Sequence, residues 1–194
     1  MVRPACGAPA PDRPFSAFRT IPHVASRHDD DGGCSLRLEP LYRVTFRYPD
    51  GGHGTVLEGE AGSEGHYFFV AEGEVSGRIA GRMQAANHPR SRIDKNALPN
   101  IQGAITTDDG ATIIFDWHGF ARPAPPSPRQ IVVSGTHTTG DERYSWLNNV
   151  VCVGCGEIRP QDDSGGARNV VGGRIDFVID FSELIWEPID QQEA

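Results

Sequence analysis

The chain has 194 residues, 38% of them hydrophobic, with 23 glycines, 15 prolines and a formal charge of −8. That is room for one domain with a real core, and the composition suits a turn-rich β protein better than a helical one. The acidic balance argues against a nucleic-acid backbone as partner, and no run approaches the ~20 apolar residues of a membrane helix.

Residues 1–34 are rich in Pro, Ala and Arg and carry an Asp-Asp-Asp-Gly-Gly run at 29–33. They bury little and read as a disordered tail, with Cys6, His23 and His28 as solvated groups. No apolar core of a signal peptide is present, so the expected compartment is the cytoplasm, where thiols stay reduced. The folded domain is expected over 35–188, with a second short tail at 189–194.

Within the domain, Leu36 to Tyr48 alternates, with Tyr42, Val44 and Phe46 inward and Arg43, Thr45 and Arg47 outward. Pro40 marks an edge or bulge. A turn at Pro49–Gly52 precedes the apolar run His66 to Ala71. Small residues then recur from Glu72 to Arg82, as where a sheet bends or another backbone comes close. A polar connection follows at Ala86 to Arg92.

Leu98 to His118 reads as a hairpin turning at Asp109-Gly110, a dipeptide that suits a type I′ turn. Its second strand puts Ile113, Phe115 and Trp117 on one face, and Thr112, Ile114, Asp116 and His118 on the other. Arg122 to Arg129 holds four prolines and reads as an exposed loop. Ile131 to Thr138 is a strand. Asp141 to Asn149 is a short helical turn with Asp141 as N-cap. Val150 to Ile158 is a strand, Arg159 to Gly173 a flexible loop, and Arg174 to Phe181 a strictly alternating strand that continues toward Pro188. Strands with short turns and almost no helix predict an all-β antiparallel barrel, because closure removes edges that so many apolar strands would expose.

Leu98-Pro99-Asn100 to Gly110-Ala111, Tyr144-x-Trp146-Leu147-Asn148 and Val153-Gly154-x-Gly156 together resemble the bacterial and fungal family termed domain of unknown function 3237, over about residues 36 to 187. The resemblance implies a single-domain β-barrel similar to calycin or allene-oxide-cyclase barrels, and no established activity. It also implies carboxylates at the positions of Asn87 and Asn100. Here both are amides, which cannot exchange a proton near neutral pH.

The candidate chemistry is distributed along the chain. Asp116 and His118 share a strand face and, if that face lines the lumen, form an acid–base pair with Tyr144 as a further catalytic group. In the opposite reading Phe115 and Trp117 fill the barrel and the pair is outside. His88 and Arg90, with Arg92 nearby, suit an anionic group at the barrel mouth. His137, Trp146 and Asn148 are further ligand-binding candidates, with core anchoring or backbone capping as their alternative roles. Cys152 and Cys155 lie on opposite faces of a strand and are expected to pack rather than to act as a redox or zinc pair. No metal, cofactor or hydrolase motif occurs.

These features fit a barrel that holds a small apolar or aromatic metabolite without a cofactor and catalyses an isomerisation, cyclisation or elimination. The alternatives are a non-catalytic carrier or accessory protein, and a ligand-free structural homodimer. Titratable groups in the lumen favour the first, an all-apolar lumen the second, and a filled lumen the third.

Overall fold

The computed structural model describes residues 35–125, 127–160 and 175–187. Their strands are β1 (Ser35–Arg47), β2 (Gly52–Gly59), β3 (Gly62–Gly77), β4 (Gly81–Asn87), β5 (Arg90–Ser91), β6 (Ala97–Leu98), β7 (Asn100–Thr107), β8 (Thr112–Ala124), β9 (Ser127–Thr138), β10 (Cys152–Pro160) and β11 (Ile175–Glu187). A 3-10 turn at Glu142–Asn149 joins β9 to β10.

Eight of these strands close a ring. Going round it, β1 pairs with β3, β3 with β4, β4 with β7, and β7 to β11 follow in order until β11 returns to β1, every pair antiparallel. The fold is therefore an antiparallel β-barrel, as the strand pattern predicts, and the ring has no free edge to cap. The other strands sit at one end. β2 pairs only along the first half of β3, and β5 and β6 bridge β3 to β8.

The period-2 patterns set which face is inside. Tyr42, Val44 and Phe46 of β1 lie opposite Phe181, Ile179 and Phe177 of β11, and all six are buried. Directly opposite residues share a face, so their rings meet: Phe46 stacks on Phe177 with centroids 4.3 Å apart. Phe115 stacks on Trp117 at 3.9 Å, and Trp117 lies 4.5 Å from Phe181. These rings occupy the interior, so the lumen is a packed core.

The sheet bends where small residues permit it. A Cβ on Gly73 would run into the Thr45 carbonyl and Phe46, so only glycine lets β3 pass this close to β1. The bulge expected at Pro40 is present as a register shift between Pro40 and Tyr42.

Three local expectations are corrected. The hairpin turn is not type I′, since Asp109 has no positive φ. Gly110 alone is left-handed, with φ +88°, and its N–H donates to the Thr107 carbonyl at 3.0 Å. That is a three-residue loop, a type I turn followed by a left-handed glycine. The proline run does not open a long loop: β8 continues to Ala124 and β9 begins at Ser127, with a register shift between Arg122 and Ala124 that absorbs the missing donors. The polar connection after Ala86 is partly strand, because Asn87 ends β4 and Arg90–Ser91 form β5. β2 has no counterpart in the alternation, since nearly all its residues are exposed on both faces. The tails at 1–34 and 189–194 and most of the loop after Arg159 lie outside the described residues.

Candidate functional site

The two ends of the barrel differ. One is closed by the 3-10 turn. Asp141 caps it by accepting from the Arg143 N–H at 3.0 Å. The Arg143 guanidinium donates to Asp109 at 2.8 Å, and the Tyr144 hydroxyl donates to the same carboxylate at 3.0 Å. Thr107 also donates to Asp109, and these bonds hold the Asp109 carboxyl below its usual range, the Thr107 bond foremost. Leu147 is fully buried beneath the turn.

Three expected site residues belong to this closure. Tyr144 ties the turn to the β7–β8 hairpin. Asn148 accepts from the Thr139 N–H at 2.8 Å and donates to its carbonyl at 3.0 Å, so its amide caps local backbone. Trp146 lies under the Arg78 guanidinium, 4.3 Å from its ring centre.

The lumen reading of Asp116 and His118 is overturned. Phe115 and Trp117 point inward, and the period of two sends Asp116 and His118 to the outer wall. The two side chains meet there at 2.8 Å, with about half of each exposed. They form a carboxylate–imidazole contact on the outer wall, away from the groove.

His137 does point inward. Its Nε2 is 2.7 Å from the Tyr42 hydroxyl, and Trp117 and Cys152 border the same oxygen. Burial lowers its pKa to about 4, so it is neutral at ordinary pH. Burial likewise raises the Cys152 thiol to about 12, and its Sγ donates to the Gly135 carbonyl at 3.3 Å. Cys155 is exposed on the opposite face, as strand geometry predicts.

The second end carries a groove. The β2–β3 hairpin rises past the ring, and the segment from Arg90 to Leu98 folds against it. Ile93 packs over Gly62, where it leaves no room for a Cβ. The segment is held by its own turn: Arg92 N–H donates to the Asn96 carbonyl at 2.7 Å, and Lys95 takes a left-handed φ of 65°. Leu57, Ala61, Ile93 and Leu98 line the groove with Arg90 and Arg92, around about 590 Å³. Small-molecule sites occupy roughly 300–1,000 Å³. Arg90 pairs with Glu64 at 2.9 Å and Arg92 with Asp94 at 3.0 Å. His88 stands on the outer wall, its ring 4.9 Å from Phe68.

The two amides lie at this end. Asn87 is buried; its Nδ2 donates to the Tyr48 hydroxyl at 2.5 Å and its Oδ1 accepts the Asn100 N–H at 3.2 Å. One amide thus supplies a donor and an acceptor at once, which an ionised carboxylate cannot do. Burial raises the Tyr48 hydroxyl above its ordinary range.

Of the expected site residues, Arg90 lines the groove together with the neighbouring Arg92, and His88 stands two residues before Arg90 on the outer wall. Leu57, Ile93 and Leu98 are missed by sequence reasoning. Their only local signal is an apolar residue among polar neighbours in a short loop or an unpatterned strand.

Comparison with known proteins is consistent with this picture. The family model "Protein of unknown function (DUF3237)" matches residues 36–184. A β-barrel-like protein from Acinetobacter baumannii has a similar structure, with 18% identity and TM-score 0.60, over 78% of this chain and 97% of that one. A conserved protein of unknown function from Rhodopseudomonas palustris gives 21% and 0.57, over 78% and 98%. A protein of unknown function from Clostridium acetobutylicum gives 17% and 0.59, over 78% and 100%. At these identities the likeness concerns the fold alone. Among curated proteins, none matches the sequence.

Proposed function

The chain belongs to the DUF3237 family, and from that premise and its geometry we propose that it binds a small apolar or aromatic metabolite in the groove beside the β2–β3 hairpin. The packed lumen by itself favours a ligand-free protein. The observation that outweighs it is the groove, where apolar side chains meet two guanidinium groups in a space of ligand size. Ile93 and Leu57 are 53% and 72% exposed, and covering a side chain of this kind contributes roughly 1.5–3 kcal/mol.

The reading is that of a carrier or accessory protein rather than a cofactor-free isomerase, cyclase or lyase. Proton-transfer chemistry needs a general acid or base within reach of the ligand. Asp116 and His118 are on the outer wall and His137 is sealed in the core; of the acids that border the groove, Glu64 is engaged by Arg90 and Glu58 is exposed to solvent.

Fluorescence titration with N-phenyl-1-naphthylamine, a neutral apolar probe, tests the reading. Wild type is expected to bind it saturably at one site, and Ile93→Asp to weaken it at least tenfold. Ile93 is an exposed loop residue, so the variant keeps its fold. Absence of saturable binding, or equal binding by the variant, overturns the proposal.

A further inference from the structure

We infer that the ligand of this groove carries an anionic group, a carboxylate or sulfonate class of headgroup, held by Arg90 and Arg92. The inference rests on the reading of the groove as a ligand site and names what the ligand must bring to it.

Arg90 lies in β5 and Arg92 opens the turn that follows it. Both line the groove beside Leu57, Ile93 and Leu98. Each is already paired with one acid, and both pairs run through Nη2. A guanidinium is a fork of five N–H donors that binds carboxylate and sulfonate oxygens along its edges, so one partner on Nη2 does not exhaust it. The side chains are about half exposed, 50% for Arg90 and 48% for Arg92, so an incoming anion can reach them.

The acidic lining must be weighed against this. Glu58 and Glu64 also border the groove, Glu64 is the partner of Arg90, and Asp94 is the partner of Arg92. The chain carries −8 overall. At physiological salt, charges beyond about 8 Å are largely screened, so the contest is local: an incoming anion shares the guanidinium groups with Glu64 and Asp94 and is held by the N–H donors those acids leave over. A neutral ligand would leave both guanidinium groups half desolvated with no new partner. An anion replaces the lost water by charge-assisted hydrogen bonds, which are roughly twice as strong as neutral ones. The apolar floor and the cationic edge together select an amphipathic acid over a neutral molecule of the same body.

Two probes of one aromatic body separate the inference from the reading beneath it. 1-Anilinonaphthalene-8-sulfonate carries the anion, and N-phenyl-1-naphthylamine lacks it. Wild type is expected to bind the sulfonate about tenfold more tightly. Arg90→Gln/Arg92→Gln is expected to bind both probes equally, the preference for the sulfonate being lost. If the neutral probe does not bind wild type, the groove reading itself fails. If it binds and the sulfonate binds no tighter, the anion inference alone is overturned. A preference for the sulfonate that survives in the double variant overturns it too, because the anion is then held elsewhere.

Discussion

Tyr42 and His137 are 95 residues apart in the chain and 2.7 Å apart in the barrel, where the hydroxyl meets Nε2 in the core. Nδ1 of the same ring finds no partner among the described residues. A charge on this imidazole would have almost nothing to compensate it, and burial holds the pKa at about 4 against the ordinary 6.5.

Acid stability follows from that pair. Because the folded value is depressed, the unfolded chain binds the extra proton first as pH falls. The contribution of His137 is complete above about pH 6.5 and is lost between there and pH 4. Its size is about 3 kcal/mol. Denaturant melts from pH 7.5 to 4.5 are expected to show a loss that His137→Phe reduces. An equal slope in both proteins would mean that His137 is not the group responsible.

The hairpin turn has a sharp requirement at one residue. Gly110 has φ +88° and open space where a side chain would stand, so only the backbone conformation is at stake. Gly110→Ala is expected to destabilise by about 1–2 kcal/mol. Gly140→Ala, equally uncrowded and without a left-handed φ, is expected to change stability by less than about 0.5 kcal/mol. Equal effects of the two would remove the turn assignment.

The outer-wall pair is expected to matter little. Asp116 and His118 lie 2.8 Å apart but half in water, where ion pairs contribute about 0–1 kcal/mol. His118→Gln is expected to shift the melting temperature by no more than a few degrees and to leave probe binding unchanged. A large loss of binding would return this face to the functional site.

The two cysteines are expected to react at different times. In a Cys6→Ser/Cys34→Ser background, an aromatic disulfide reagent should label Cys155 at once and Cys152 only on unfolding. Cys152 is fully buried with its thiol pushed up to about 12, whereas Cys155 is exposed. Rapid labelling of both in the native protein would contradict the strand register.

The barrel was legible because its strands alternate. Tyr42, Val44 and Phe46 against Phe177, Ile179 and Phe181 write the inner face directly into the chain. The same alternation left Asp116 and His118 undecided, since a period of two separates two faces without saying which is wet; the size of Phe115 and Trp117 decides it. β2 was illegible for the opposite reason. It buries neither face and is held by its pairing to β3, so Val56 and Leu57 sit in no pattern. The groove was hidden further still. Leu57 and Ile93 are 36 positions apart in the numbering of the chain and come together only through the pairing of β5 with β3. At the closed end, Tyr144 and Asn148 looked chemically able, but hydrogen bonds to Asp109 and Thr139 engage them in holding the turn.

The most direct measurement is an amide-resolved NMR titration of wild type with N-phenyl-1-naphthylamine. Binding in the groove is expected to move the amides of Leu57 to Glu64 and of Arg90 to Leu98, and to leave Val44, Phe115 and Ile131 unmoved. Shifts concentrated on those interior strands, with the groove silent, would place the ligand in the lumen and contradict the groove site.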